Sequence, residues 1–286
     1  MGKDGGGDMP NKKKLKKTER QARILGELRA SPAIRISALA GELGVSTETI
    51  RRDLDELSQQ GMLSRTYGGA AARPFGAEPT LSERYKEYVE ERERVGALAA
   101  RAIKPGQVLM IDAGSTTLHF ARRLSAELRD LTVITNSFGI ASALSTNPSI
   151  AVVVCPGRYD AREGSVFGSD SESFLHRFNA NIAVIGCSGL TASGPNDVNP
   201  LGAAVKRAML ARAEANMLLC DHSKFDLLTL ENVCPLDTIK LIVADRAPTG
   251  ELARAIKRAG LPVELAGSAP RDGGKITRRL AAQREG

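Results

Sequence analysis

Residues 44–70 read GVSTETIRRDLDELSQQGMLSRTYGGA, and this stretch decides how the front of the chain folds. Ile50, Leu54 and Leu57 recur at helical spacing, which predicts a helix over about Thr47–Gln60 with one apolar face. Ser46 or Thr47 can cap its start. Gly61 closes it, and Met62–Tyr67 reads as a strand running into Gly68-Gly69, a hairpin-like wing. Upstream, a second short helix over about Ile36–Leu43 carries Leu39, Ala40 and Leu43 on one face. It ends at Gly44, where a left-handed backbone costs little. Two helices joined by a tight glycine-containing turn, the second polar and basic on its exposed face, form a helix-turn-helix. A first helix, Thr18 to about Arg29, supplies Ile24, Leu25 and Leu28, and Ser31-Pro32 breaks it.

In such a unit the second helix presents its early residues to base edges and phosphates. Ser46, Thr47, Thr49, Arg51 and Arg52 are therefore candidate DNA contacts, joined by Arg65 and Tyr67 on the wing. Successive helical residues diverge by about 100°, so both arginines need not face the groove. Asp53 is expected in an intrahelical or capping ion pair.

Downstream the texture changes. Residues 68–80 (GGAAARPFGAEPT) are small, rich in Pro and Gly, and aperiodic. A charged helix is expected over about Leu81–Ile103. Short aliphatic runs follow: VLMI at 108–111, TVIT at 132–135, AVVVC at 151–155, IAVIG at 182–186, NMLLC at 216–220, LIVA at 241–244 and PVEL at 262–265. Helical stretches such as Leu118–Leu128, Gly202–Ala215 and Gly250–Ala259 separate most of them. Apolar runs alternating with helices predict an α/β fold with a parallel sheet covered on both faces. The expected organisation is a disordered basic arm (1–17), a winged helix-turn-helix domain (18–72), a linker (73–80), a larger α/β domain (81–267) and a basic tail (268–286).

Six of the runs end in polar or glycine-rich residues, and ligands of open parallel sheets bind outside the carboxyl ends of the strands. Asp112-Ala113-Gly114-Ser115-Thr116-Thr117 stands before a helix. Gly114 lets backbone N–H groups approach, and Ser115, Thr116 and Thr117 place hydroxyls at a helix N-terminus, which favours anions. Asn136 and Ser137 at the next strand end can add donors. Lys206 and Lys224 can supply positive charge, or be solvated.

Charge supports this division of labour. Residues 1–72 hold 13 Lys and Arg against 9 Asp and Glu, residues 73–267 hold 22 of each, and the last 19 hold 5 against 2, so the whole net charge of +7 lies at the ends. A neutral body with a basic head suits a head that meets a polyanion. No apolar run is long enough to span a bilayer and no signal-peptide core opens the chain, so a cytoplasmic protein without membrane contact is expected. Cys155, Cys187, Cys220 and Cys234 lack CxxC spacing and are expected as free thiols. The three histidines form no ligand pattern, and neither metal nor cofactor is expected.

The quoted stretch resembles the helix-turn-helix signature of DeoR-family repressors. DAGSTT, TNS, GRYDAREGSVFG, GCSGLT, VKRAM and DHSKF, in that order, resemble the effector domain of the same family, so the resemblance spans about residues 18–267. It implies an effector domain similar in fold to ribose-phosphate isomerases, with a phosphorylated sugar as ligand. By motif position it carries Asp112, Gly114, Ser115, Thr116, Asn136, Lys206 and Lys224 into the pocket. Tyr67 stands where the family usually has His, and Gly202 where it often has an acidic residue. The reading is a homo-oligomeric repressor of a carbohydrate-metabolism operon, bound to a double-stranded operator and released by a phosphosugar. An alternative is a sugar-phosphate isomerase-like enzyme with an accessory head, Asp112 or Asp221 acting as base; catalysis gains nothing from a helix-turn-helix. A purely architectural DNA binder leaves the pocket loops unexplained.

Overall fold

The computed structural model describes residues 15–31, 33–59, 63–71 and 78–267. The chain divides into two compact units, Met1–Pro74 and Phe75–Gly286. The expected arm up to residue 14, Pro32, residues 60–62, most of the expected linker and the basic tail lie outside the described residues.

In the N-terminal unit, helices α1 (Lys17–Ala30), α2 (Ile36–Leu43) and α3 (Thr47–Gln59) join strands β1 (Ala33–Arg35), β2 (Ser64–Thr66) and β3 (Gly69–Ala71). Ile24 and Leu28 of α1, Leu39 and Leu43 of α2, and Ile50, Leu54 and Leu57 of α3 close one aliphatic core with Leu63 and Ala70. Gly44 takes φ +64 and ends α2. The wing hairpin turns at Tyr67-Gly68 and gains a third strand that the periodicity does not reveal, since β1 pairs with β3. Gly69 permits that pairing, because a Cβ there would lie 2.0 Å from the carbonyl oxygen of Ile34. Asp53 does not pair within its own helix. It is buried and grips the guanidinium of Arg20 on α1, with Arg20 Nη2 donating to Oδ1 at 3.0 Å, so it clamps two helices together.

The second unit runs α4 (Leu81–Arg84), α5 (Val89–Ala100), β4 (Val108–Ile111), α6 (Ser115–Glu127), β5 (Leu131–Thr135), α7 (Phe138–Leu144), β6 (Ile150–Val154), β7 (Arg158–Asp160), β8 (Ser165–Phe167), α8 (Ser169–Leu175) and β9 (Ala180–Ile185). It continues through β10 (Gly189–Thr191), β11 (Gly194–Asp197), α9 (Pro200–Ala211), β12 (Ala213–Cys220), β13 (Glu231–Asn232), β14 (Leu241–Ala244), α10 (Gly250–Arg258) and β15 (Val263–Leu265). All seven aliphatic runs enter one sheet, ordered β15-β14-β12-β9-β4-β5-β6, and every pairing in it is parallel. Side chains alternate across it. Leu109, Ile111, Val184 and Met217 pack with α5, α6 and α7, while Met110, Ala183, Ile185 and Leu218 pack with α8, α9 and α10. Helices on both faces explain why these strands are apolar throughout. Hairpin β7–β8 and the antiparallel set β10-β11-β13 lie outside the sheet.

Two expected helices differ. Residues 81–103 form α4 and α5, not one helix, and Tyr88 at the break has φ +52. At the break the carbonyl of Arg84 accepts the Glu87 amide at 3.3 Å and also the guanidinium of Arg92; Arg92 Nε donates to Asp221 Oδ2 at 2.9 Å, and both side chains are fully buried. Helix α9 stops at Ala211, because Ala213 and Ala215 already pair with Ala180 and Ile182 in the sheet. Among the described residues no helix is long and apolar enough to cross a membrane.

Candidate functional site

Helix α3 turns Ile50, Leu54 and Leu57 inward, which leaves Thr47, Glu48, Arg51, Arg52 and Asp55 exposed on its outer side. Ser46 is the cap: its Oγ accepts the amide of Thr49 at 3.1 Å and meets the Thr49 hydroxyl at 2.9 Å. Both arginines lean on Glu48, Arg52 at 3.4 Å and Arg51 at 3.8 Å. These pairs are solvated and hold the guanidinium groups weakly. On the wing, Arg65 is tied to Asp55 at 3.1 Å and to the carbonyl of Gly69, whereas Tyr67 is fully exposed at the hairpin tip.

The second site follows from the strand order. The chain builds β4, β5 and β6 in one direction, then returns to place β9 on the other side of β4. At that reversal the loops after β4 and β9 diverge, leaving a crevice at their carboxyl ends. A cavity opens there, lined by Asp112–Thr116 after β4 and Gly186–Ser188 after β9; Asp197, Asn199, Gly202 and Lys206 come from β11 and α9, and Lys224 from the loop after β12.

Lys206 is at its floor. Its Nζ lies 2.9 Å from Asp112 Oδ2 and 2.6 Å from Asp197 Oδ2, and all three side chains are buried. Burial pushes the Asp112 carboxyl up to about 6 although Lys206 opposes the shift. Burial works to discharge Lys206, but Asp112 and Asp197 outweigh it and hold the ammonium charged. Asp112 Oδ1 is buried without a hydrogen-bond partner. An orphan acceptor in a polar cavity is where a ligand hydroxyl would donate. Ser115 and Thr116 open α6, whose N-terminus has no side-chain cap and no acidic residue in its first turn. Its free N–H groups and dipole suit an anion.

At the mouth stand residues that the sequence reading left out. Glu78 accepts Lys224 Nζ at 2.7 Å, Arg84 Nη1 at 2.9 Å and the Ser188 hydroxyl at 2.7 Å. Burial alone would raise the Glu78 carboxyl, but Lys224 and Arg84 bring it down to about 2. Glu163 pairs with the other face of Arg84, and there burial prevails and its carboxyl is raised.

Of the nine pocket residues expected from the sequence, Asp112, Gly114, Ser115, Thr116, Lys206 and Lys224 line the cavity. Thr117, Asn136 and Ser137 do not; they hold the loops in place. The Thr117 hydroxyl donates to the carbonyl of Gly114. Asn136 accepts the amide of Ala113 at 3.1 Å and donates to the carbonyl of Val166, and Ser137 caps α7. Asp221 also stays outside the lining, held by Arg92 and Ser223. Cys155, Cys220 and Cys234 are buried, while Cys187 is half-buried and lines the cavity. A Cβ at Gly202 would make only ordinary van der Waals contact with Asp197 Oδ2, at 3.6 Å.

Two family models match the chain. A DeoR-like helix-turn-helix domain covers residues 20–73, and a DeoR C terminal sensor domain covers residues 87–246. The HTH-type transcriptional regulator GolR of Listeria innocua serovar 6a is 30% identical, over 87% of this chain and 98% of its own. The HTH-type transcriptional repressor GlcR of Bacillus subtilis is 31% identical over 85% and 94%, and the glycerol-3-phosphate regulon repressor of Escherichia coli 26% over 88% and 100%. Among solved structures, ribose 5-phosphate isomerase A of Methanocaldococcus jannaschii aligns over about half of each chain (47% and 53%), with 19% identity and a TM-score of 0.35.

Proposed function

Since this chain belongs to the DeoR family of transcriptional regulators, we propose that it represses a carbohydrate-metabolism operon and lets go of its operator when a phosphorylated sugar fills the cavity. The chain is a regulator and not an enzyme. The observation that carries the ligand assignment is the pairing, in one cavity, of the unpartnered Asp112 Oδ1 with the uncapped N-terminus of α6. A sugar hydroxyl donates to the former. A phosphate accepts from the backbone of Ser115 and Thr116, with Lys224 as counter-charge. The relatives are named for a glycerol-3-phosphate regulon and as transcriptional repressors, which agrees with an effector of this kind.

In the N-terminal unit, Ser46, Thr47, Thr49, Arg51 and Arg52 meet the major groove, and Tyr67 reaches the backbone or minor groove from the wing. Arg65 serves only after it leaves Asp55. The protein works in the cytoplasm as a homo-oligomer on paired half-sites, a two-fold operator mirroring a two-fold protein. Effector binding acts through different affinities for the operator-competent and released states.

Thermal shift of the full chain against glycerol 3-phosphate, ribose 5-phosphate, glucose 6-phosphate and galactose 6-phosphate, each beside its unphosphorylated parent, tests the sensor. One ester should raise the melting temperature where its parent does not, because a ligand of the folded form stabilises it. The same ester should release the upstream region of the operon in a mobility-shift titration. Operator binding that none of these esters alters would remove the sensor half of the assignment.

A further inference from the structure

We propose that Glu78 is a tethered stand-in for the effector's phosphate: its carboxylate holds Lys224, Arg84 and Ser188 until a phosphate monoester takes Lys224 from it and drives residues 78–80 out of the cavity. The inference rests on the phosphosugar reading of that cavity and adds the group that the ligand must displace.

Three observations support it. The first is the donor set. Two cations and one hydroxyl converge on a carboxylate whose side chain is only 8% exposed, the kind of set that a phosphate oxygen recruits. The second is charge. Arg84, Lys206 and Lys224 face four carboxylates, Glu78, Asp112, Glu163 and Asp197, so the lining already carries one negative charge too many when all are ionised. A phosphate dianion entering beside Glu78 meets net repulsion among buried side chains. With Glu78 gone, three cations balance three carboxylates, and the raised Asp112 and Glu163 can take up protons to absorb the ligand's charge. The third is space. The cavity holds about 40 Å³ with Glu78 seated, against roughly 300–1,000 Å³ for small-molecule sites. Withdrawing the Glu78 side chain enlarges that space for a sugar phosphate.

Glu78 is the group placed to leave. Asp112 and Asp197 sit on strand ends and Glu163 follows β7 in a hairpin, whereas Glu78 stands three residues before the four-residue helix α4. Residue 78 also follows Ala71, the last described residue of the N-terminal unit, by seven positions.

Two measurements on the full chain test this. Calorimetric titration with inorganic phosphate, and with whichever ester shifts the melting temperature, compares wild type with Glu78→Gln and Lys224→Met. Glu78→Gln should bind phosphate about tenfold more tightly, because the fraction of sites blocked by the carboxylate no longer lowers the apparent affinity. Lys224→Met should lose binding. Hydrogen exchange on wild type needs no variant to fold. Saturating ester should speed exchange at residues 78–84, including the Leu81 amide that donates to the carbonyl of Arg162 at 3.1 Å. If ligand binds and needs Lys224, yet Glu78→Gln matches wild type or exchange at 78–84 slows, Glu78 is not the displaced group and only this inference fails. If neither wild type nor Glu78→Gln binds phosphate or any ester, the phosphosugar reading fails and takes this inference with it.

Discussion

Replacing Lys206 by Met removes a charge and keeps most of the side chain's length, which isolates the electrostatics of the cavity floor. In the native chain one ammonium lies 2.9 Å from Asp112 and 2.6 Å from Asp197. Without it, two buried carboxylates face each other with no cation between them. Breaking a buried pair by removing one partner costs about 3–5 kcal/mol. For a domain of this size each kcal/mol moves the melting temperature by about 2–4 °C, so a loss of about 6–20 °C is expected at pH 8. The deficit should shrink in acid. Asp112 titrates at about 6 in the folded chain because burial raises it, while Lys206 restrains the rise. Unfolded aspartate titrates near pH 3.9. A folded value above the unfolded one means that protonation favours the folded state. That contribution is complete below the unfolded value and is lost as pH rises through the folded one. Removing Lys206 lifts the folded value further, so the loss should grow between about pH 4 and pH 8. Adding Asp112→Asn should recover much of it at pH 8. The assay is thermal unfolding of the second unit in the full chain at pH 5 and pH 8. A Lys206→Met loss below about 1 kcal/mol that is the same at both pH values would refute a desolvated Asp112–Lys206–Asp197 cluster.

Three further outcomes are expected. Arg51→Ala and Arg52→Ala should each weaken operator binding; about 1–3 kcal/mol with relaxed specificity marks a base contact, whereas equal loss on all sequences with a salt slope smaller by about one marks a phosphate contact. No effect from either would mean that the outer side of α3 is not the reading face. Gly96→Ala should destabilise the second unit by roughly 1–3 kcal/mol in urea unfolding, because the new Cβ would lie 2.7 Å from the amide nitrogen of Phe120, and an unchanged midpoint would show that α5 and α6 slide apart freely. Asn136→Ala should weaken the ester-induced thermal shift without Asn136 touching the ester, since the loop bearing Ala113 and Gly114 loses its anchor; an undiminished shift would show that the loop holds its place alone.

The elements legible in the sequence are those whose pattern is local. Ile36–Leu43 and the helix from Thr47 show one apolar face and a glycine or serine boundary, and both lie where the periodicity puts them. The seven aliphatic runs are equally plain, because a sheet covered on both faces leaves no polar alternation to confuse. What escaped is set by long-range pairing. The three-residue strand Ala33–Arg35 exists only through Gly69, and Ala213–Ala215 becomes strand only through β9. The break at Tyr88 is stabilised by Asp221, 129 positions away from Arg92. The pocket divides in the same way. Residues in the loop after β4 are marked by glycine and hydroxyls before a helix. Asn136 carries the same chemistry but spends it on the backbone of Ala113 and Val166, and composition does not distinguish a lining residue from a bracing one. Glu78 and Arg84 gave no local signal, since a carboxylate in an aperiodic segment and an arginine in a charged helix both read as solvated.

Covalent order then narrows how a filled cavity can be felt by the DNA-reading unit within one chain. Every lining residue except Glu78 and Arg84 follows β4 in sequence. Along the chain, a displacement of those later residues runs through the packed sheet or its helices before it reaches the start of the unit, and a core at crystal-like density yields little. Glu78 and Arg84 precede the sheet in sequence. Arg84 is restrained, because its carbonyl receives the buried Arg92 guanidinium and its side chain is shared with Glu163. Among the described residues Glu78 is held through its carboxylate by Lys224, Arg84 and Ser188, groups that a phosphate would claim, so ligand chemistry and chain order coincide at this lining residue.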